Sequence, residues 1–388
     1  MPKMSISQWS DLPNELLEII IDHLHTKIDL TRFSSVCESW RSSALPYRNR
    51  VVLPAKVSYL GPSHLQESSL LLTESTVYHL SPLESCAMAS TSNSSPSGWI
   101  VKIKENQELG QQLHLINPLS PLRVHPLPDS FPKVLNSLQF RVFELTKSYT
   151  LQYSNLNHCN YKVALNPNQD CPSLMVVAAG VLWHLKLGQD RWTAIDDMES
   201  QLSYEDVIVY RGKFCAVDEF GRAVVVDSDL KITEIASVIS GGAGDKKNLL
   251  VFNGELLLVD RYLSKKHNYM YYNIGRRTSS VKVEKFRLYK LNLDQERWVE
   301  IKSLGDQILF LGEDCSYITS AKNFSRCRGN CIIYCDPEFK VYNLDNRSFA
   351  PVNQQPEYIN IFNPFTPPPP PHYGPRHSNG SSGKRLCI

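Results

Sequence analysis

The sequence predicts a mainly β chain, a propeller of small radiating sheets preceded by three short helices. Three observations predict it. The N-terminal stretch carries apolar residues at helical spacing. From about residue 55 that spacing gives way to short β-branched and aromatic runs separated by turn formers. One phrase then recurs along the remainder, an apolar run, a polar turn and a second apolar or aromatic run.

The totals bound the class. A length of 388 residues fits two or three domains. Hydrophobic content of 42% and charged content of 21% are ordinary for a globular protein. A net charge of +2 shows no basic stripe, so no nucleic-acid partner is expected. Met1-Pro2-Lys3-Met4 is followed by polar residues, so no secretory signal is expected. No apolar run is long enough to span a membrane, so no membrane partner is expected either. The 10 cysteines form no dense framework; reduced thiols in the nucleus or the cytoplasm are the expectation.

The helices come first. Pro13 suits a helix start, because its missing N–H would have no partner there. Glu15 and Glu18 place negative charge near the positive end of the helix dipole. Leu16, Ile20 and Leu24 form one stripe, and Leu17, Ile21 and Leu24 a second beside it, with Leu12 and Ile19 widening the surface. Asp29 reads as the N-cap of a second helix carrying Leu30, Phe33 and Val36. Cys37, Trp40 and Leu45 mark a third, expected to end near Pro46. A surface helix normally has one apolar stripe. This one has two, in a unit near the lower size limit for independent folding. The surplus predicts a module completed by a partner protein; the alternative is a cap packed on the protein's own larger domain.

The ordered string Leu12-Pro13-x-Glu15-Leu16, then Asp29-Leu30-x-x-Phe33, then Val36-Cys37-x-x-Trp40-Arg41 resembles the F-box. The resemblance implies binding to the Skp1 adaptor and, through it, to a cullin. It implies that Leu12, Pro13, Leu16, Ile20, Leu30, Val36, Cys37 and Trp40 form or support that contact. Spacing leaves open which of them face Skp1 and which fill the small core.

The recurring phrase is clearest in WHLKLGQDRWTAI (183–195) and LYKLNLDQERWVEI (288–301), which place Arg-Trp at the same point after the turn. Looser copies are VYHLSPLESCAM (77–88), LHLINPLSPLRVHPL (113–127), VVVDSDLKITEI (224–235) and VYNLDNRSFAPV (341–352). Six copies at a period of about 50 residues predict a kelch-like propeller of six blades, each phrase an outer hairpin. The gap from 127 to 183 leaves room for a seventh. KFCAVDEFGR (213–222) and GELLLVDRYL (254–263) read as inner strands, and Trp192 and Trp298 as wedges between blades. GGAGDKKN (241–248) and SKKHNYMYYNIGRRTSS (264–280) read as loops.

Residues 304–349 resemble the C-terminal signature of the plant KIB-type propeller, also called domain of unknown function 295. Gly305-Asp306, Phe310-Leu311-Gly312, Gly329-Asn330-Cys331, Tyr334 and Val341-Tyr342-Asn343-Leu344 carry the match. The expected organisation is thus an F-box over 9–50, a propeller over 55–360 and a tail over 361–388. The tail is rich in Pro, Gly and Ser and is expected to be disordered. Its prolines 367–371 offer a polyproline II ligand as the alternative.

Chemistry is sparse. Cys315, Cys327, Cys331 and Cys335 fit zinc spacing loosely, but Cys331 and Cys335 flank a strand-like Ile332-Ile333-Tyr334, so buried thiols are expected and no metal. Asp196-Asp197 and Glu313-Asp314 read as turn residues. His23 and His25 lack a ligand-spaced partner. The Lys265, Lys266, Arg276 and Arg277 cluster with Tyr269, Tyr271 and Tyr272 reads as a solvated loop; its mix of cations and aromatics also suits a protein contact or single-stranded nucleic acid. No phosphate-binding glycine loop or nucleophile elbow occurs, so neither a cofactor nor a catalytic residue is expected. The expectation is a non-catalytic substrate-recognition subunit of a Skp1–cullin–F-box ubiquitin ligase, its propeller holding an unknown protein target. Two alternatives stand beside it. One is a scaffold that binds Skp1 without ligase activity. The other is a propeller enzyme, for which only Asp218 and Asp260 offer carboxylates.

Overall fold

Three helices stand at the N-terminus of the computed structural model. It describes residues 9–22, 24, 27–48, 53–60, 69–83, 98–106, 112–122, 140–153, 161–167, 172–197, 203–264, 282–324, 326–336 and 338–362. Helix α1 spans Asn14–Asp22, α2 Lys27–Ser34 and α3 Glu38–Arg48. Asp29 is therefore in the first turn of α2 and not its N-cap; the acid still suits the helix dipole there. Helix α3 runs past Pro46, in the last turn, where a proline removes one backbone bond and interrupts no further turns.

Among the described residues, the strands form five sheets. Sheet 1 holds β1 (Ala55–Val57), β2 (Leu70–Pro82), β3 (Trp99–Asn106), β4 (Gln112–Ile116) and β5 (Phe140–Tyr153). Sheet 2 holds β6 (Lys162–Asn166), β7 (Ser173–Ala178), β8 (Val181–Lys186) and β9 (Thr193–Ala194). Sheet 3 holds β10 (Tyr204–Tyr210), β11 (Lys213–Asp218), β12 (Ala223–Val226) and β13 (Ile232–Ala236). Sheet 4 holds β14 (Lys246–Phe252), β15 (Glu255–Leu263), β16 (Val283–Asn292) and β17 (Arg297–Ile301). Sheet 5 holds β18 (Gln307–Leu311), β19 (Ser316–Ser320), β20 (Cys331–Cys335), β21 (Phe339–Asn343) and β22 (Phe349–Pro351), followed by the short helix α4 (Pro356–Ile359).

Each sheet is a blade. Strands β5, β6, β10, β14 and β19 are the innermost and neighbour one another around a central channel. Each seam between blades has its own apolar core. Leu72, Leu151 and Val176 fill the seam of sheets 1 and 2, and Val207 and Met175 that of sheets 2 and 3. Leu258 and Val217 fill the seam of sheets 3 and 4, Phe286 and Ile332 that of 4 and 5, and Phe310 and Val77 that of 5 and 1. Because both faces of a blade are covered, central strands are apolar runs without alternation: all six residues of β7, SLMVVA, are buried.

Among the described residues the blade count is five, not six. The phrases at 77–88 and 113–127, taken as two blades, supply β2 and β4 of one sheet. The other four phrases do form outer hairpins: β8–β9, β12–β13, β16–β17 and β21–β22. The runs at 213–222 and 254–263 hold β11 and β15, the second strands of their blades and not the innermost. Lys246–Asn248, expected in a loop, begin β14. The core reaches Phe362, two residues past the expected boundary at 360. The 264–280 loop and the proline-rich tail fall outside the described residues, except Ser264, Ile361 and Phe362; the last two belong to the core and not to a disordered tail.

Sheet 1 differs in order. In sheets 2, 3 and 4 the innermost strand is first in the chain; in sheet 1 it is the last, β5. Ser148 of β5 lies beside Cys315 at the start of β19. His79 stacks on Phe143 at 5.8 Å and meets Phe324, just past the end of β19, edge-on at 5.4 Å. Strand β5 thus runs opposite to β19.

The two expected wedges are in place. Trp192 donates its indole N–H to Ser58 O at 2.9 Å, tying sheet 2 to the chain beside sheet 1. Trp298 donates to Gly221 O at 2.6 Å, tying sheet 4 to sheet 3.

Candidate functional site

Two surfaces compete as the working site, the helical module and the propeller channel. In the module, Leu17, Ile21, Phe33 and Ala44 close a small core. The carbonyl of Pro13 accepts from Leu16 N at 3.1 Å and Leu17 N at 3.2 Å, which starts α1. Phe33 and Trp40 pack with ring centroids 4.5 Å apart, and Trp40 donates its indole N–H to Trp9 O at 3.0 Å. Arg41 donates from Nε to Ser34 O at 3.3 Å, joining α3 to the end of α2.

The structure sorts the expected contact residues. None of the eight is fully buried. Leu16 is 45% exposed and Val36 51%, and Pro13 is exposed as well. Leu12, Ile20, Leu30 and Trp40 are half-buried and lean on the core from its edge, and Cys37 is half-buried. Leu17 and Phe33, in contrast, are core residues. Ile19, 55% exposed, Leu45, also 55%, and Trp9, 73%, extend the outer apolar surface. Leu16 and Ile19 follow i, i+3 spacing on α1, a signal that identifies the outward stripe once the inward one is assigned.

Helix α2 meets the propeller at β5. Arg32 donates from Nη2 to Val142 O at 3.1 Å, while its Nη1 is held 3.2 Å from Asp29 Oδ1.

The channel is polar and encloses about 360 Å³. Lys162 donates to Glu313 O at 2.6 Å and lies 3.9 Å from Asp206 Oδ1. Asp206 accepts from Val207 N and Leu249 N, and its burial raises its pKa; burial raises that of Glu313 too. These bonds fix neighbouring inner strands to one another. Asp218 and Asp260, the carboxylates of the enzyme alternative, do not line the channel. Asp218 accepts from Phe220 N, Arg222 N and Arg222 Nε. Asp260 accepts from Gly244 N and pairs with Lys247 at 2.8 Å, both side chains buried. Their hydrogen-bonding capacity is used in shaping turns and seams. Asp197 accepts from Tyr204 OH and Arg222, again within a seam.

The cysteines do not converge. Cys327 donates to Glu357 O and Cys331 to Arg328 O, and burial pushes the thiols of Cys315, Cys327 and Cys331 up to about 12. Among the described residues no group of three or more His, Cys, Asp or Glu could hold a metal. The side chains of His23 and His25, and the Lys265–Arg277 cluster, lie outside the described residues. No helix among the described residues is long and apolar enough to cross a membrane.

Comparison with known proteins settles the family. The F-box domain family matches residues 9–46, and the KIB1-4 beta-propeller family matches residues 69–363. This chain is a member of the plant F-box proteins with a KIB1-4 propeller. The F-box protein SKIP23 of Arabidopsis thaliana is 31% identical over 407 residues, covering 93% of this chain and 95% of that protein. The F-box protein At2g17036 of the same plant is 31% identical, covering 93% of this chain and 94% of its own. The putative F-box protein At5g60060 is 31% identical, covering 80% and 83%. In this F-box protein the helical module is therefore the better candidate site. Its exposed apolar stripe has no covering element among the described residues, whereas in the channel Lys162, Glu313, Asp206 and Leu249 are bonded to one another.

Proposed function

We propose that this F-box protein is the substrate-recognition subunit of a Skp1–cullin–F-box ubiquitin ligase. The observation that carries the reading is the outward stripe of Leu16, Ile19 and Val36 over a core already closed by Leu17, Ile21, Phe33 and Ala44. Apolar residues that the module does not need for its own packing are the chemistry of a docking face. Leu12, Pro13, Ile20, Leu30, Cys37 and Trp40 border and support that face. Skp1 covers it and brings the cullin; the five-bladed ring holds a protein target. The subunit performs no bond chemistry. It raises the effective concentration of the target's lysines near the ubiquitin-conjugating enzyme.

The test is capture of Skp1 by the full chain, wild type against a Leu16→Asp, Val36→Asp double substitution. Both changes lie on the surface, so the variant keeps its fold by circular dichroism and loses at least about tenfold in affinity, the loss expected when about 1.4 kcal/mol of interface energy is removed. Equal capture by a folded variant overturns the docking face. Capture of Skp1 without recruitment of cullin would favour a scaffold over a ligase subunit.

A further inference from the structure

Four of the five seams are crossed by the chain itself as it passes from one sheet to the next. The seam between sheet 5 and sheet 1 is not, among the described residues. Among the described residues no strand of either sheet is hydrogen-bonded into the other, so strand exchange does not close this ring.

Residues 352–362 lie across the gap. Val352, Tyr358 and Ile361 are buried in the core shared by Val77 and Ile100 of sheet 1 with Ile308, Phe310 and Tyr317 of sheet 5. On the sheet 5 side, Tyr358 donates its hydroxyl to Arg328 O at 2.9 Å and Cys327 donates to Glu357 O at 2.7 Å. Phe362 stacks on Phe339 with centroids 4.6 Å apart and meets Phe310 edge-on at 5.9 Å. On the sheet 1 side, Ile361 O accepts from Ile100 N at 2.7 Å. One short segment thus bonds to both edges of the break, beside two direct links between the sheets, the Lys102–Asp314 pair and the bond from Glu313 N to Leu119 O. We propose that residues 352–362 are a clasp that closes the propeller at its one seam without a chain crossing, so that displacing them opens the ring between sheets 5 and 1 while the other blades stay assembled. The inference is independent of the Skp1 reading.

A clasp and an ordinary piece of core differ in where protection is lost. The test is amide hydrogen exchange on the full chain, wild type against Ile361→Asp, which places a carboxylate in the apolar seam. The expected result is exchange at least about tenfold faster at Ser75–Leu80, Ile100 and Ser316–Ser320, with Val207–Val209 and Phe214–Val217 of sheet 3 unchanged. Tyr358→Phe, which removes one hydroxyl bond, should give the same pattern at smaller amplitude. If Ile361→Asp does not fold, Ile361→Ala is read in the same way. Unchanged exchange at the seam, or equal acceleration in all five sheets, overturns the proposal.

Discussion

Lys102 Nζ lies 2.5 Å from Asp314 Oδ2, and the pair is sealed from solvent. Lys102 belongs to β3 of the first blade, and Asp314 stands just before β19 of the last. Lys102 also donates to Ser120 O at 3.3 Å. A buried pair resists the loss of one partner far more than the loss of both, because the remaining charge keeps its desolvation cost. Lys102→Met or Asp314→Leu alone should cost about 3–5 kcal/mol, and the double substitution clearly less than the sum. Urea midpoints of the four chains measure this. Additive losses would show that the two groups do not act as a pair.

The indole bonds at Trp192 and Trp298 are distant copies of one device. Replacing either by Phe keeps most of the apolar bulk and removes the N–H donor. Each change should cost about 1 kcal/mol, and the two should add, since they share no partner. A double substitution costing no more than one single would mean the seams are coupled.

In α1, neighbouring leucines have opposite roles. Leu17→Ala opens a cavity in the module's core and should cost about 2–5 kcal/mol of its stability. Leu16→Ala should stay within about 0.5 kcal/mol of wild type, as surface changes do. Thermal unfolding of the pair separates packing from docking, and a Leu16 cost as large as that of Leu17 would rule out Leu16 as a free surface residue.

Stability should depend on pH through His79. Burial lowers its pKa below the ordinary 6.5, and burial does the same to His184. A depressed histidine binds its proton more readily in the unfolded chain. Its contribution is therefore full above the unfolded pKa and declines as pH falls through it toward the folded value. His79→Phe, which suits the ring contacts with Phe143 and Phe324, should flatten the fall in urea midpoint between about pH 7.5 and pH 5.5. Equal slopes in both chains would remove His79 as a source. Asp206, Asp218 and Glu313 have raised values and act in the opposite sense, in the acid range above their ordinary pKa.

Gly312 and Gly329 are backbone contacts in disguise. A Cβ at Gly329 would stand 2.4 Å from the carbonyl carbon of Asp306, and one at Gly312 would stand 2.4 Å from Cys315 O. Gly329→Ala should cost about 1–3 kcal/mol, as overpacking does, detectable as a lowered melting temperature. An unchanged melting temperature would mean the loop before β20 shifts freely.

Much of this was legible in the residues. The double apolar stripe of α1 announced a core and a second face, and the Arg-Trp repeats marked outer hairpins. The division between the faces was not legible, because the two stripes are adjacent and equally apolar; only the positions of α2 and α3 decide that Leu17 turns in and Leu16 out. The blade count failed for a related reason. Hairpin phrases report local pairing, and β2 and β4 read alike although both belong to one sheet. Buried pairs such as Lys247 with Asp260 left no trace either, because their partners are apart in the chain.

The backward order of sheet 1 has a consequence for anyone reasoning by analogy between blades. Turning the ring by one fifth carries sheet 2 onto sheet 3 and sheet 3 onto sheet 4, but those three modules do not map onto sheet 5, whose inner strand is second in the chain, or onto sheet 1, whose inner strand arrives last. Substitution tolerance learned in one of those three modules therefore transfers to the others and stops at sheets 5 and 1. The cyclic pseudosymmetry is broken at the very place where the chain must find its own beginning.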